Sequence, residues 1–298
     1  MVRTNRFWAW PWEMKQHGLL GINARNLNLL FSQNDRSHYP MVDNKVLTKE
    51  ICRKNGISTP ETYAVISRYG DIRSIGECLK SHSEAVIKPA HGAGGEGVLL
   101  LKSTQNGVSQ TFDGRYLSET DIKYHVSAIL SGLYSLGGQA DSAIVEQYVQ
   151  LHSVFKKAIK FGMPDIRVIT YNYRPVMAML RLPTRTSRGK ANLHQGGVGV
   201  GVNIRNGLTT TAVHKGEIIS DHPDTGALIG NLLLPFWDEI LDVSVRFSRA
   251  AGMGFIGTDI VIDAVKGPVM LEGNARPGLA IQLANQCGLL QRIAGVEV

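Results

Sequence analysis

The sequence is poor in cysteine and contains no long apolar segment. Cys52, Cys78 and Cys287 are the three cysteines among 298 residues, and no two of them form a CxxC pair. Their number and spacing argue against a disulfide framework and a zinc ribbon, and they favour a reducing compartment. No window approaches the roughly 20 apolar residues that a membrane-spanning helix needs. The sequence therefore predicts neither a covalent staple nor a membrane span.

The N-terminal segment also lacks the pattern of a signal peptide. It reads MVRTNRFWAWPWEMKQ, and its short aromatic run is broken by Pro11 and Glu13. A signal peptide needs an apolar stretch of roughly 7–15 residues. We therefore expect a soluble, cytoplasmic protein. We expect Trp8, Trp10 and Trp12 to pack onto the body of the protein, and contact with a membrane surface or a partner is the alternative.

Composition and charge are those of a soluble globular protein. Apolar residues make up 43% of the chain and charged residues 19%, which excludes an intrinsically disordered chain. The formal net charge of +7 favours anionic ligands such as nucleotides or acidic peptides. No nucleic-acid-binding motif is present, so we expect no nucleic-acid partner. Binding of ATP and an acidic substrate would account for the charge, and so would an ordinary soluble surface.

Apolar periodicity predicts a mixed α+β fold. Helical spacing predicts helices over residues 43–56, 119–135 and 232–251. Strand-like segments come in pairs, and one pair is predicted to be a hairpin that turns at residues 172–174. Residues 1–40 are the least regular part. Hairpin connections favour antiparallel layers over a doubly wound parallel sheet.

A glycine-rich loop follows one of these strands. Residues 92–97 read GAGGEG, and the segment after Val98 is strand-like rather than helical. A dinucleotide-binding loop would open a helix, so the loop is instead predicted to join two antiparallel strands. Glycines let backbone N–H groups approach phosphate oxygens closely. Lys88, four residues before the loop, would complete a phosphate clamp; a plain glycine-rich hairpin with a surface lysine is the alternative.

Three oxygen-bearing side chains near the C-terminus suggest a metal site. Glu272 and Asn274 are two residues apart and face the same side of an extended strand. Asp259 can lie beside them if the two strands pair across a turn at residues 266–268. Two carboxylates and one amide oxygen suit Mg²⁺ on nucleotide phosphates. A solvated hairpin face is the alternative.

The order of these motifs resembles that of a known superfamily. From about Asp43 to the C-terminus the chain is similar to the ATP-grasp superfamily and, within it, to the RimK-like alpha-L-glutamate ligases. The resemblance rests on the following ordered segments: Lys88 with the glycine loop, Val145-Glu146-Gln147-Tyr148, Asp165-Ile166-Arg167, Asn192-Leu193-His194-Gln195-Gly196-Gly197, Asp259, and Glu272-Gly273-Asn274-Ala275-Arg276-Pro277-Gly278.

The resemblance implies an ATP-grasp fold, in which two α+β subdomains sandwich ATP. Residues 43–150 would form the subdomain with the glycine flap, and residues 151–298 the subdomain with the metal-binding strands. Residues 1–42 would be an N-terminal extension, which is a reduced region without a full Rossmann-like domain. The long stretch between Glu146 and Asp165 would be a solvated loop or a substrate-facing insertion.

The resemblance also implies roles for individual residues. The expected cofactors are ATP and Mg²⁺, with two ions and with Mn²⁺ as a possible substitute. The residues expected to bind the nucleotide are Lys45, Lys88, Gly94, Gly95, Gly97, Glu146, Gln147, Tyr148, Asp165, Lys190 and Asn192, and those expected to bind metal are Asp259, Glu272 and Asn274.

The implied activity is that of a carboxylate–amine ligase. An acyl phosphate would form and an amine would then make an amide or peptide bond, with glutamate or another amino acid added to a peptide or small acid. Arg181, Arg276 and Lys88 would be catalytic. Arg167 is a weaker candidate, because pairing with Asp165 is its alternative role. His194 would orient substrate or be structural. An ATP-grasp phosphotransferase and a non-catalytic ATP-binding regulator are the alternatives, and a homo-oligomer would fit the superfamily.

Overall fold

A computed structural model describes residues 10–92, 94–103, 108–112, 114–135 and 137–295. Thirteen strands can be assigned in this part of the chain. They are β1 (Thr62–Ile66), β2 (Glu84–Pro89), β3 (Leu99–Ser103), β4 (Ser109–Thr111), β5 (Tyr116–Leu117), β6 (Ala143–Glu146), β7 (Asp165–Tyr171), β8 (Arg174–Leu182), β9 (Val198–Val202), β10 (Thr209–His214), β11 (Glu217–Ile219), β12 (Phe255–Asp263) and β13 (Gly267–Asn274).

Ten α-helices accompany these strands in the described residues, and most are short. They are α1 (Pro11–Gln16), α2 (Ile22–Arg25), α3 (Phe31–Gln33), α4 (Tyr39–Asp43), α5 (Lys45–Lys54), α6 (Ile75–Lys80), α7 (Glu119–Leu130), α8 (Trp237–Ala250), α9 (Ile281–Ala284) and α10 (Leu289–Ala294).

The strands form two antiparallel sheets. One has six strands in the order β1-β6-β2-β3-β4-β5, and the other has seven in the order β11-β10-β9-β8-β7-β12-β13. Helix α7 packs on the first sheet and α8 on the second, each through a buried apolar stripe. The expected α+β class is therefore confirmed, and each sheet has its own apolar core.

The predicted hairpins are present, and their registers position the polar side chains. In the hairpin β7–β8, Asn172 and Tyr173 have φ values of 47° and 60°, the mirror-image turn geometry that matches the twist of the strands. The glycine loop connects β2 and β3, and Ile87 pairs with Leu99 at its base. Both connections agree with the sequence-based expectation.

Helix α8 begins later than its periodicity predicts. The pattern begins at residue 232, whereas the helix begins at Trp237. Thr209 at the start of β10 exchanges hydrogen bonds with the backbone of Leu232, so this stretch is held beside the sheet. Phe236 then has a φ of 59° and breaks the path into the helix. A tertiary contact therefore replaces the first helical turn.

The N-terminal region is more regular than the sequence suggests, because most of residues 11–43 are helical. Asn34 fixes this region to the seven-stranded sheet by donating to the Phe255 carbonyl and accepting from its amide. Trp10 and Trp12 stack on each other with ring centroids 4.5 Å apart and remain 40% and 54% exposed. The expectation that they pack onto the protein body therefore stays a prediction. Trp8 lies outside the described residues.

Candidate active site between the two sheets

Two buried aspartates and two buried arginines form an ion cluster on the seven-stranded sheet. Asp259 on β12 lies opposite Arg167 on β7, and Asp165 on β7 lies opposite Arg181 on β8. Arg167 donates to both Asp259 oxygens at 2.7 and 2.6 Å. Arg181 bridges the two carboxylates, since it donates through Nε and Nη2 to Asp165 and through Nη2 to Asp259. Arg167 therefore pairs with Asp259 and not, as the sequence suggested, with Asp165.

The two aspartates of this cluster are electrostatically different. Burial raises the pKa of Asp165 to about 6, and the neighbouring Asp259 charge adds to that effect against the opposing influence of Arg181. Burial also acts to raise the pKa of Asp259, but its contacts with Arg167 and Arg181 outweigh burial and lower it. Two guanidinium groups thus keep Asp259 ionised, whereas Asp165 titrates closer to neutrality.

The residues expected to hold magnesium lie beside this cluster. Asp259 pairs with Glu272 across β12 and β13, and Asn274 Nδ2 lies 3.0 Å from Asp259 Oδ2. Two carboxylates and an amide are the donor types that Mg²⁺ prefers. Asp259 is already fully engaged by its arginines and Asn274, whereas the Glu272 side chain is 34% exposed. The residues fit a magnesium ion bound at Glu272 and Asn274, with Asp259 held next to it.

The glycine flap lies close to helix α5 and to the segment between β8 and β9. Lys45 Nζ donates to the Gly92 carbonyl at 2.5 Å and lies 3.6 Å from Glu272 Oε2. Gln195 Nε2 donates to the Gly94 carbonyl at 3.3 Å. A Cβ placed on Gly95 would lie 3.4 Å from the Lys190 side chain. The flap thus covers the edge that carries Glu272.

Lys88 shares a carboxylate with a second lysine. Its Nζ lies 2.5 Å from Glu146 Oε1, and Lys49 Nζ lies 2.7 Å from Glu146 Oε2. Both lysine side chains are at least 90% buried. Burial lowers the pKa of Lys49, with Glu146 opposing that shift and Lys88 adding to it. Sequence reasoning missed Lys49, although it follows Lys45 by four residues and so lies on the same side of α5.

The segment after β6 is engaged in contacts that narrow the expected adenine-binding role. The Gln147 amide donates to the Glu61 carbonyl at 2.8 Å, and its side-chain oxygen accepts from Lys266 at 2.6 Å. Tyr148 stacks on Phe112 with ring centroids 4.2 Å apart. The amide of Gln147 is therefore already used, so an adenine contact would fall to other groups of this segment.

Other predicted residues lie near this cleft without joining the ion cluster. Arg276 is half-exposed, pairs with Asp43 at 3.3 Å and lies over the Tyr39 ring. The loop that follows it is fixed by buried Arg25, which donates to the Pro277 carbonyl at 2.9 Å. Asn192 accepts from the His194 amide and caps a short turn.

The His194 ring is exposed. Sequence reasoning named Gln195 only as part of the segment 192–197 and gave it no role, and it missed a pair formed by His91 and Asp141 at the base of the flap. Asp141 belongs to no local motif, so only tertiary structure could reveal this pair. Among the described residues, no helix is long and apolar enough to span a membrane, and no group of three or more His, Cys, Asp or Glu side chains is arranged to hold a metal.

Comparison with known proteins places this geometry in a family. Residues 24–298 match the sequence model of a family described as sugar-transfer associated ATP-grasp. No curated protein matches the sequence. Among solved structures, biotin carboxylase from Campylobacter jejuni in complex with β-γ-ATP is similar with a TM-score of 0.54 and 13% identity, over 86% of this chain and 46% of that chain.

Two further solved structures share the fold. D-alanine–D-alanine ligase from Bacillus anthracis has a TM-score of 0.50 and 13% identity, over 89% of this chain and 65% of that chain. A RimK domain ATP-grasp protein from Sphaerobacter thermophilus has a TM-score of 0.50 and 12% identity, over 88% and 70%. This chain therefore spans less than two thirds of the ligase and about half of the carboxylase.

Proposed function

The chain belongs to the sugar-transfer associated ATP-grasp family, and we propose that it is an ATP-dependent ligase that activates a carboxylate and joins it to an amine. The observation that supports this most directly is the position of Lys45. Its ammonium group contacts both the flap carbonyl of Gly92 and the Glu272 carboxylate. One cation thus links the glycine flap to the strand with the proposed metal ligand. A nucleoside triphosphate and its metal ion would lie between these two elements.

In this proposal the six-stranded sheet and the flap bind the nucleotide. Lys45 and Lys88 bind phosphate oxygens, and the flap amides at Gly94, Gly95 and Gly97 cover them. Glu146 holds Lys88 in place rather than contacting adenine through its side chain. The Gln147 carbonyl and the Tyr148 ring accept the base. On the opposite side of the flap, Lys190 and Asn192 approach the phosphates.

The seven-stranded sheet provides the acidic side of the cleft. Glu272 and Asn274 would hold Mg²⁺, which neutralises developing phosphate charge when bound. Asp259 and Asp165 are held beside them by Arg167 and Arg181. We propose that Arg181 acts by positioning this carboxylate edge, because both of its hydrogen-bonding faces are already used.

The proposed reaction has two steps. A substrate carboxylate oxygen attacks the γ-phosphorus, the bond to the β-phosphate oxygen breaks, and ADP leaves. An amine nitrogen then attacks the acyl carbon, the carbon–oxygen bond to phosphate breaks, and inorganic phosphate leaves with an amide formed. The residues of this chain contribute by positioning the reactants and by neutralising charge. Arg276, which is half-exposed and held by a single 3.3 Å ion pair, is our candidate for holding the substrate carboxylate.

The family description favours a substrate that contains a sugar. We propose that either the carboxylate or the amine belongs to a sugar, such as a uronic acid or an amino sugar. A RimK-like activity that adds glutamate is the finer alternative, and its support is one structural likeness at 12% identity. Glutamate therefore belongs in the amine panel of the first assay.

The test is a product assay with purified protein and Mg-ATP. Panels of uronic and amino acids are offered as carboxylates, and panels of amino acids and amino sugars as amines. ADP, phosphate and amide should appear together, and Glu272→Gln should lower the rate at least about 100-fold because the charge of a metal ligand is lost. Glu217→Gln, on the exposed edge strand β11, is the matched control.

Two results would replace the proposal. ADP with a phosphorylated acceptor and no free phosphate would indicate a phosphotransferase. ATP binding without turnover for any pair of substrates would indicate a regulator.

A further inference from the structure

A histidine–aspartate pair stands at the base of the glycine flap. His91 directly precedes Gly92, and its Nδ1 lies 2.7 Å from Asp141 Oδ1. The Asp141 side chain is completely buried, whereas the His91 side chain is 43% exposed. The two residues are 50 positions apart, so their contact depends on the tertiary fold. This pair has no part in the nucleotide and metal contacts proposed above.

The surroundings of Asp141 determine which nitrogen of the ring carries the proton. Its oxygens accept from the backbone amides of His91 at 3.0 Å and Ser142 at 2.7 Å. A carboxylate that receives such donors acts only as an acceptor, so His91 Nδ1 is the donor in the 2.7 Å contact. The proton of the neutral ring is then on Nδ1. Nε2, which points away from Asp141, carries the free lone pair.

The pair is fixed rigidly and lies one residue from the proposed reaction cleft. The Ala90 amide donates to the Ser142 carbonyl at 2.9 Å, and Gly92 is bridged to Ser135, so both sides of His91 are held by backbone contacts. The neighbouring Gly92 carbonyl accepts from Lys45, which also contacts Glu272. Lys45 and Asp141 thus contact two consecutive residues, Gly92 and His91, at the stem of the flap.

We propose that His91 is the general base that accepts the proton of the attacking amine, with Asp141 as its positioning residue. The inference rests on the proposed ligase function. When an amine nitrogen bonds to the acyl carbon it becomes positively charged, and it must lose a proton before phosphate can leave. That proton passes to His91 Nε2, the carbon–oxygen bond to phosphate breaks, and His91 returns the proton to solvent.

A comparison of two nucleophiles separates this role from a structural one. Hydroxylamine is a strong nucleophile whose nitrogen is much less basic than that of an alkyl amine, so after attack it loses its proton readily to water and needs little help from a base. His91→Asn keeps a donor for Asp141 but removes the base. With the amine, kcat should fall about 100-fold or more, the scale of general base catalysis, with little change in ATP KM. Hydroxamate formation should stay within about threefold of the wild type.

Control variants test the partners of this contact. His17→Asn alters an exposed histidine and should leave both nucleophiles unaffected. Asp141→Asn should also reduce amide formation more than hydroxamate formation, because the tautomer is no longer fixed. Equal losses with amine and hydroxylamine in His91→Asn would mean that the residue only shapes the flap, and would overturn the proposal.

A measurement without substrate tests the tautomer directly. In ¹⁵N-histidine NMR of the folded protein, the neutral His91 ring should be protonated at Nδ1. Protonation at Nε2 instead would remove the lone pair and overturn the proposal. If the wild type forms neither hydroxamate nor amide with any acid of the panel, the ligase function itself is wrong. Turnover with an unaffected His91→Asn variant would overturn only the role of the histidine.

Discussion

In the seven-stranded sheet, two buried aspartates are matched by two arginines, whereas in the six-stranded sheet one buried carboxylate, Glu146, is shared by two lysines. The first group is complete in itself, and its charges cancel. The second group has two lysines for one carboxylate and therefore carries one net positive charge. A preformed cluster of balanced charge in one sheet thus contrasts with a cluster of spare positive charge beside the other.

This difference indicates different roles for the two charged clusters. A buried ion pair that is satisfied internally fixes geometry, and it is costly to break because the remaining charge has no partner. Two lysines that share one carboxylate have a spare positive charge, so they can bind an anion. Removal of one of them should cost the protein little free energy of unfolding. We therefore expect variants of the seven-stranded sheet to change mainly stability, and variants of the six-stranded sheet to change mainly nucleotide affinity.

Removal of Asp259 should give the largest effect and tests the first half of the comparison. Asp259→Ala removes the carboxylate that Arg167 contacts in an ion pair among the described residues, and it leaves Arg181 with one carboxylate instead of two. The free energy of unfolding should fall by about 3–5 kcal/mol, the cost of breaking a buried ion pair. Urea denaturation measures the fall. Asp242→Ala, which removes an exposed pair with Arg246, should cost less than about 1 kcal/mol, and equal losses in the two variants would contradict the assignment.

A second, smaller effect should appear in the pH dependence of stability. The pKa of Asp165 is raised from 3.8 to about 6, so between these values the folded state binds more protons than the unfolded state. The resulting stabilisation is present below pH 3.8 and is lost as pH rises through 6. It amounts to at most about 3 kcal/mol, at 1.36 kcal/mol per pKa unit.

Asp165→Asn provides the comparison for this effect. From about pH 4 to 7, the free energy of unfolding of the wild type should decline relative to that of the variant. Lower pH is avoided because the lowered pKa of Asp259 acts in the opposite direction there. Parallel curves for the two proteins would show that Asp165 titrates normally.

Lys88→Met tests the six-stranded sheet. Because Lys49 remains to neutralise Glu146, the loss of stability should be smaller than that of Asp259→Ala. The dissociation constant of Mg-ATP should rise about 10- to 100-fold, since a charged hydrogen bond contributes about 1.5–3 kcal/mol. Calorimetric titration measures the change, with Lys54→Met, an exposed lysine that pairs with Glu50, as control. A large loss of stability with unchanged affinity for Mg-ATP would contradict the expected difference between the two sheets.

Pairings between residues close together in the chain could be predicted from the sequence, whereas pairings between distant residues could not. The β7–β8 hairpin and the pairing of Asp259 with Glu272 follow from strand periodicity and a short turn. The partner of Arg167 does not, because β7 meets β12 only through the fold, and its register places Asp259 opposite Arg167. For the same reason a local pairing with Asp165 was the natural but wrong expectation.

Two other features could not be predicted from the sequence, for related physical reasons. The first turn expected for α8 is replaced by hydrogen bonds to Thr209, a contact from a distant strand that outweighs helix propensity. Asp141 lies in a loop without a motif, and only its burial against His91 makes it notable. Motifs therefore predicted the flap and the carboxylates, while the groups that orient them came from contacts between distant segments.

The smallest expected effect concerns Gly95 in the flap. Gly95 has a φ of +72°, and a Cβ there would lie 3.4 Å from Lys190; Gly216 has a φ of +85° with open space around it. Gly95→Ala and Gly216→Ala should therefore lose a similar free energy of unfolding, about 1–2 kcal/mol, from the left-handed backbone. Only Gly95→Ala should also weaken Mg-ATP binding, by a few-fold, because Gly95 lies in the flap whose amides are proposed to cover the phosphates, whereas Gly216 lies in the turn between β10 and β11. If both variants bind Mg-ATP equally well, the backbone of Gly95 has no part in holding the nucleotide.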